Sequence, residues 1–359
     1  MWFKFKKDKI QNKNILYLSI DGRSIGMSLY NGNNLSFTDR KIYKKTETHK
    51  PIELLFTEFL KDFKNTHPIL LDEICVILEY PWVNETQVHI KEKRLSPFVI
   101  TQNVIDNLVN RDSNGVINKN NSIPYIYEKI IIDGHISNDP IGKTVNEIEI
   151  SLTKFNEDTD FTLFIDKKLK ELWNKTNITY TAGQAYIINI AKKYKARNDI
   201  YLTLGSNNTT IHFYSMGVIH NVVNIPYGFR NILESLGFNW QTSSFETRNW
   251  LNLFLDKKLS TIDHNRINND IRMAFLPFMN SFDKINDDSV PKALRPIKIF
   301  GISRTWNRIF TYLLLEDEYF TKVFPHIKNT AIIDIAENLH NVSGDRLVST
   351  YITNKELSI

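Results

Sequence analysis

The sequence predicts an α/β fold built twice, in two lobes, and three observations carry that prediction. Ile15–Phe37 and Ile200–Ile225 read as two copies of one unit: a strand, a glycine-containing turn, a strand, a hairpin and a third strand. A late run, "PIKIFGISRTWNRIFTYLL", reads as a strand reaching Gly301 and then a helix. A chain of 359 residues is also too long for one small core and suits two domains.

Taken in order, "ILYLSI" (15–20) is an apolar strand ending at Asp21-Gly22. "SIGMSLY", the Asn31-Gly32 hairpin and "NLSF" complete the first unit. Between Ile52 and Phe63, Leu55, Phe56, Phe59, Leu60 and Phe63 recur at helical spacing after Pro51. "EICVILEYPW" reads as a buried strand closed by proline, with Cys75 as a small core residue and Trp82 either capping the core or meeting a partner. "PFVITQNVIDNLV" gives a short strand and a helix capped by Thr101. "IYEKIIIDGHISNDPIGKTVNEIEISL" gives two strands joined by a Gly- and Pro-rich connector, and Glu147 and Glu149 alternate on a solvated face. "DFTLFI" (160–165) is expected as a strand, "DKKLKELWNKT" as a helix and "TAGQAYIINIAKKY" as another helix. The second unit, "DIYLTLGSNNTTIHFYSMGVIHNVVNIPYG", leads into helical segments near 230–236, 244–259 and 264–283, and "TAIIDI" is a last short strand.

Composition narrows the class. A net charge of +5 leaves no general nucleic-acid footprint, and one cysteine forbids an intrachain disulfide, which fits a reducing cytoplasm. No apolar stretch approaches the roughly 20 residues that span a bilayer. The opening "MWFKFKKDKIQNK" is too charged for a signal-peptide core, yet it interleaves Trp2, Phe3 and Phe5 with Lys4, Lys6, Lys7 and Lys9. Rings at the headgroup boundary and lysines near an anionic leaflet make a weak membrane-surface contact, and a solvated terminus is the plain alternative. His135, His212 and His220 lack the spacing of a metal site.

The duplicated unit, with a glycine turn between its first two strands, and the late strand-Gly-helix element resemble the actin, hexokinase and heat-shock ATPase superfamily, a ribonuclease-H-like fold. Within it the chain is similar to the bacterial actin relatives FtsA and PilM. The similarity lies in "IIIDGHISNDPIGKTVNEIEISL" (130–152) and "GVIHNVVNIPYGFRNIL" (217–233), and in the order of motifs over the whole chain. The resemblance implies a basic-aromatic segment 1–13, an actin-like first lobe 14–180 with an FtsA/PilM-type inserted subdomain at about 85–166, and a second lobe 181–359.

It also implies a site. In the superfamily two hairpins hold the phosphates of ATP with Mg²⁺, and an aspartate usually stands just before each turn. Here that position of the second turn is Thr203, followed by Gly205, Ser206, Asn207, Asn208 and Thr209. Aligned without a gap, the first turn offers Ser19 there, while one deletion would restore Asp21 to the role and make it the metal ligand. A hydroxyl accepts a hydrogen bond but supplies no charge to a hard cation. The residues implied at phosphate are Ser19, Asp21, Gly22, Arg23, Ser24, Thr203, Gly205, Ser206, Asn207, Asn208 and Thr209, with Gly301, Ile302 and Ser303 beneath the adenosine.

The resemblance therefore implies a cytoplasmic scaffold or adaptor, peripheral at the inner face of the cell membrane, and at most a weak ATPase. It would bind the cytoplasmic tail or peptide of a membrane protein of a division or type IV pilus machine, or self-associate into filaments, with no nucleic acid. Two alternatives stay open: a pseudo-ATPase adaptor without nucleotide, and a sugar or metabolite kinase, for which Asp133 and Asp139 are the available bases. FtsA proteins usually end in an amphipathic helix, and "RLVSTYITNKELSI" does not read as one, which favours the PilM-like role.

Overall fold

The computed structural model describes residues 13–22, 24–32, 34–42, 52–112, 123–185, 198–205, 208–215, 218–283, 297–301, 304–316, 318 and 332–334. They divide into two compact units. One takes in the described residues up to Ala185 with Val218 and Ile219, the other the remaining described residues from Asn198.

The first unit is founded on a five-stranded sheet. Strands β1 (Asn14–Ile20), β2 (Ser24–Asn31) and β3 (Asn34–Ile42) form the antiparallel meander expected from their apolar runs, and Gly32 turns the second hairpin at φ 57°. Helix α1 (Ile52–Thr66) then carries the chain back to β4 (Glu73–Leu78), which pairs parallel to β1. Its buried stripe is Phe56, Phe59, Leu60 and Phe63, at the spacing of one helix face, and Phe63 lies 5.2 Å from Phe37 of β3. Burying each such ring or leucine contributes roughly 1.5–3 kcal/mol. Cys75 is buried in β4, as expected.

From β4 the chain enters a separate four-stranded sheet. It comprises β5 (Val83–Val99), β6 (Ile126–Ile132), β7 (His135–Ile136) and β8 (Thr144–Glu157), in the order β5-β8-β6-β7. Helix α2 (Gln102–Asp112) closes one face with Ile105, Leu108 and Val109 against Ile90, Ile130 and Ile150. Thr101 caps it as expected, its Oγ1 accepting from Val104 N at 3.2 Å. The other face is a charged ladder, with Lys91 Nζ 2.8 Å from Glu147 and 2.5 Å from Glu149. The lysine contact holds the Glu147 carboxyl below the usual carboxylate range. Asp133 and Gly134 turn β6 into β7 with φ of 45° and 82°, the left-handed pair of a two-residue hairpin.

One expected strand is a helix. "DFTLFI" belongs to α3 (Thr159–Leu172), because Asp158 accepts from Phe161 N at 3.0 Å and caps it, and Phe161, Ile165 and Leu169 recur every fourth residue on its buried face. Strand β9 (Asn177–Ala182) then pairs parallel to β4 and takes Thr181 and Ala182, where a helix was expected to begin; residues 186–194 of that helix lie outside the described residues. The sheet order is β3-β2-β1-β4-β9.

The second unit repeats this plan. Strands β10 (Asn198–Leu204), β11 (Thr209–Ser215) and β12 (Val218–Ile225) form the meander, and β13 (Ile297–Gly301) and β14 (Ile332–Asp334) add in parallel to give β12-β11-β10-β13-β14. Between them run α4 (Phe229–Trp240), α5 (Ser244–Leu255) and α6 (Thr261–Asp283), with α7 (Arg304–Leu315) after β13. Ser243 and Glu246 cap α5 reciprocally: Glu246 N donates to Ser243 Oγ at 3.3 Å, and Ser243 N to Glu246 Oε2 at 2.9 Å. The core joins Leu202, Leu204 and Phe213 of the sheet to Phe275, Phe278 and Phe310 of the helices. Phe278 and Phe310 meet edge to face at 5.3 Å.

Candidate functional site

In open α/β sheets, ligands bind beyond the carboxyl ends of the strands. The two hairpin turns lie at such ends, after β1 and after β10.

The first turn is tied by its side chains. Ile20 pairs with Ile25, and Asp21 N donates to Ser24 O at 3.0 Å. Ser24 returns two bonds to the Asp21 carboxylate, from its N to Oδ1 at 2.7 Å and from its Oγ to Oδ2 at 2.6 Å. Arg40 of β3 joins them: Nη1 contacts Ser24 Oγ and lies 3.4 Å from Asp21 Oδ2, and Nη2 donates to Ser19 Oγ at 2.5 Å. The turn is also wedged from outside. Trp82 donates its indole N–H to Asp21 O at 3.0 Å and stacks on Phe161 with centroids 3.6 Å apart, so this half-buried ring caps the core. A Cβ at Gly22 would lie 2.8 Å from Pro81 Cδ. Close approach, rather than an unusual backbone, accounts for that glycine.

The second turn is tied by its backbone. Leu204 pairs with Thr209, and Gly205 N donates to Asn208 O at 2.9 Å. A Cβ on Gly205 would lie 2.7 Å from both Asn208 O and Asn208 Oδ1, so the turn closes only over glycine. Gly205 O accepts from Phe229 N, the first residue of α4, at 3.2 Å. Thr209 Oγ1 donates to Tyr227 O at 2.9 Å, and Thr210 Oγ1 to Asn224 Oδ1 at 2.7 Å. Thr203 is buried, and its Oγ1 has no hydrogen-bond partner among the described residues.

The described residues of the two turns share one register. In each, the first residue donates its N–H to the carbonyl of the fourth, which places Asp21 with Gly205, Ser24 with Asn208, and Ser19 with Thr203. Of the expected phosphate residues, Ser19, Asp21, Gly22 and Ser24 gather at one turn, and Thr203, Gly205, Asn208 and Thr209 at the other. Gly301 ends β13 opposite Leu204. Arg23, Ser206, Asn207, Ile302 and Ser303, like Trp2, Phe3, Lys4, Phe5, Lys6 and Lys7, lie outside the described residues.

Sequence reasoning missed Arg40, whose place at the turn depends on strand register. It also missed the ends of β4 and β9. There Glu79 is buried with its carboxylate over Gly183, where a Cβ would fall 1.6 Å from Glu79 Oε1, and Gln184 is buried with Oε1 unpartnered among the described residues. Among the described residues no group of three or more His, Cys, Asp or Glu is placed to hold a metal ion, and no helix is long and apolar enough to cross a membrane.

Comparison with solved structures finds this architecture along nearly the whole chain. A chain of the PilM-PilN type IV pilus biogenesis complex aligns at TM-score 0.56 and 9% identity, over 96% of this chain and 99% of that one. MreB 5 of Spiroplasma citri, bound to AMPPNP, aligns at TM-score 0.51 and 8% identity, over 96% of each chain. No protein-family model and no curated protein matches the sequence. At such identities the likeness speaks for the backbone, and with the repeated strand order it identifies the chain as an α/β protein of the duplicated actin-like fold.

Proposed function

We propose that this chain is an actin-like adaptor of the PilM kind, working by holding a segment of a partner rather than by hydrolysing nucleotide. One observation carries the reading: Ser19 and Thr203 occupy the same register position at the two turns, and both are hydroxyls where the superfamily usually carries an aspartate. Mg²⁺ in nucleotide sites is usually held by one or two carboxylates, and a hydroxyl offers no charge to replace them. The likeness to a chain of the PilM-PilN type IV pilus biogenesis complex supports a partner-binding role, and the family resemblance suggests the partner class: a peptide or cytoplasmic tail of a membrane protein in a pilus-type or division-type machine at the inner face of the membrane.

The test is the apparent stability of the purified protein with ATP or ADP, with and without Mg²⁺. A ligand that binds only the folded state raises stability by about 2.7 kcal/mol at a hundred-fold excess over its Kd. The expected result is no Mg²⁺-dependent rise at millimolar nucleotide. A rise that disappears in Gly205→Val would overturn the adaptor reading in favour of a nucleotide switch. That second reading draws on the MreB likeness, a structure bound to AMPPNP, and on the unpartnered Thr203 hydroxyl, which a phosphate oxygen would satisfy. The kinase reading draws no such support, since Asp133 Oδ1 already accepts from Asn146 N at 3.0 Å and Glu147 N at 2.9 Å.

A further inference from the structure

The first hairpin contains a row of three residues that no motif announces. Arg40 of β3 pairs with Gly26 of β2, and Gly26 pairs with Ser19 of β1. Residues paired across neighbouring strands point to the same face of a sheet. An arginine at the outer position would ordinarily be kept from β1 by the side chain between them. Gly26 has none, so the guanidinium lies across β2 and donates to Ser19 Oγ, to Ser24 Oγ and toward Asp21 Oδ2. The Arg40 side chain is 24% exposed and that of Asp21 11%, so the pair is largely withdrawn from water. In the second unit Thr203 pairs with Thr210, whose Oγ1 donates to Asn224 Oδ1, and these three side chains carry no charge.

We propose that Arg40 is a built-in replacement for the divalent cation that the fold leads one to expect at this turn, so that the first hairpin neither needs nor admits Mg²⁺. The inference rests on reading this hairpin as a former phosphate turn. A guanidinium stays protonated at any physiological pH, so its charge is permanent. Its contacts engage the oxygens of Ser19, Ser24 and Asp21, which are the ones a metal would take, and a cation brought to Asp21 would meet a fixed positive charge beside it. Mg²⁺ also demands near-octahedral oxygen geometry and sheds its waters reluctantly. An Asp21 carboxylate bonded at both oxygens within the turn does not fit that demand.

The experiment is a Mn²⁺ titration of the full chain without nucleotide, read by electron paramagnetic resonance. Wild type and Asp21→Asn are expected to bind Mn²⁺ alike. Arg40→Met is expected to gain at least about ten-fold in Mn²⁺ affinity, because a charge in contact with the carboxylate has been removed. The gain is expected to vanish in Arg40→Met/Asp21→Asn. Arg40→Gln, which keeps amide donors for the serines while deleting the charge, makes the same comparison if the methionine variant does not fold. Mn²⁺ binding by wild type that Asp21→Asn abolishes overturns the proposal, as does a folded Arg40 variant without a gain. The two readings fail separately. A nucleotide-dependent rise in stability that Gly205→Val abolishes, without Asp21-dependent Mn²⁺ binding, sinks the adaptor reading and leaves this one standing, whereas Asp21-dependent Mn²⁺ binding without a nucleotide response does the reverse.

Discussion

The β1–β2 and β10–β11 turns close with the same backbone hydrogen bond and the same register, but different forces hold them shut. The first is laced by Asp21, Ser24 and Arg40, three side chains from two strands. The second is held by an approach of Gly205 to Asn208 that any Cβ would obstruct, and its neighbouring Thr203 hydroxyl finds no partner among the described residues. Duplication has kept the pleat and pairing of the two sheets while leaving the polar chemistry of each turn free to drift. Register fixes where a side chain must point, and it does not fix what that side chain is.

The largest effect that separates the two turns is expected from Arg40→Met. It removes the charge that faces the Asp21 carboxylate, a side chain only 11% exposed that keeps its two bonds from Ser24, at a cost of about 3 kcal/mol. Chemical denaturation should show the loss, and Asp21→Asn in the same background should recover part of it, a coupling that a double-mutant cycle measures. At the second turn the matching blow is Gly205→Ala, which forces Asn208 aside for about 1–3 kcal/mol. No charged partner is available there to rescue it.

Smaller effects sharpen the contrast. Trp82→Phe keeps the stack on Phe161 and loses the indole bond to Asp21 O, worth about 1 kcal/mol in the first unit alone. Beside the second turn, burial pushes the Tyr227 hydroxyl up to about 12, and that hydroxyl donates to Ala274 O. A pKa raised in the folded state gives stability that is fully present below the unfolded value of about 10 and is lost as pH climbs through 12. Unfolding followed across that alkaline window should therefore show a decline that Tyr227→Phe lessens, the remainder coming from Tyr125, Tyr127 and Tyr180, which burial also raises. The smallest change is expected from Thr203→Val: exchanging an unbonded buried hydroxyl for a methyl should be neutral or mildly stabilising, within about 1 kcal/mol. A loss well beyond that in the thermal midpoint would mean that the hydroxyl has a partner after all.

Much of this was legible along the chain. Both meanders, the Asn31-Gly32 turn and the Thr101 cap follow from apolar alternation, turn dipeptides and cap chemistry, all of which act within a few residues. "DFTLFI" misled because a short apolar run suits a buried strand and a buried helix equally well, and Asp158, one turn earlier, decides between them. Arg40 was invisible for another reason. Its reach to Ser19 passes over Gly26, and no local pattern states which residue of β3 will stand opposite which residue of β2. The order of the strands, with β4 and β9 laid parallel beside β1, likewise belongs to long-range packing rather than to any window of sequence.

The bridge over Gly26 also acts as a ratchet. A single change of Ser19 to aspartate would restore the carboxylate that relatives of the fold carry, but the newcomer would stand directly against the Arg40 guanidinium and close into an ion pair with it. A carboxylate gained at Ser19 alone is therefore taken up by the arginine, and the turn stays closed to a cation until Arg40 itself changes.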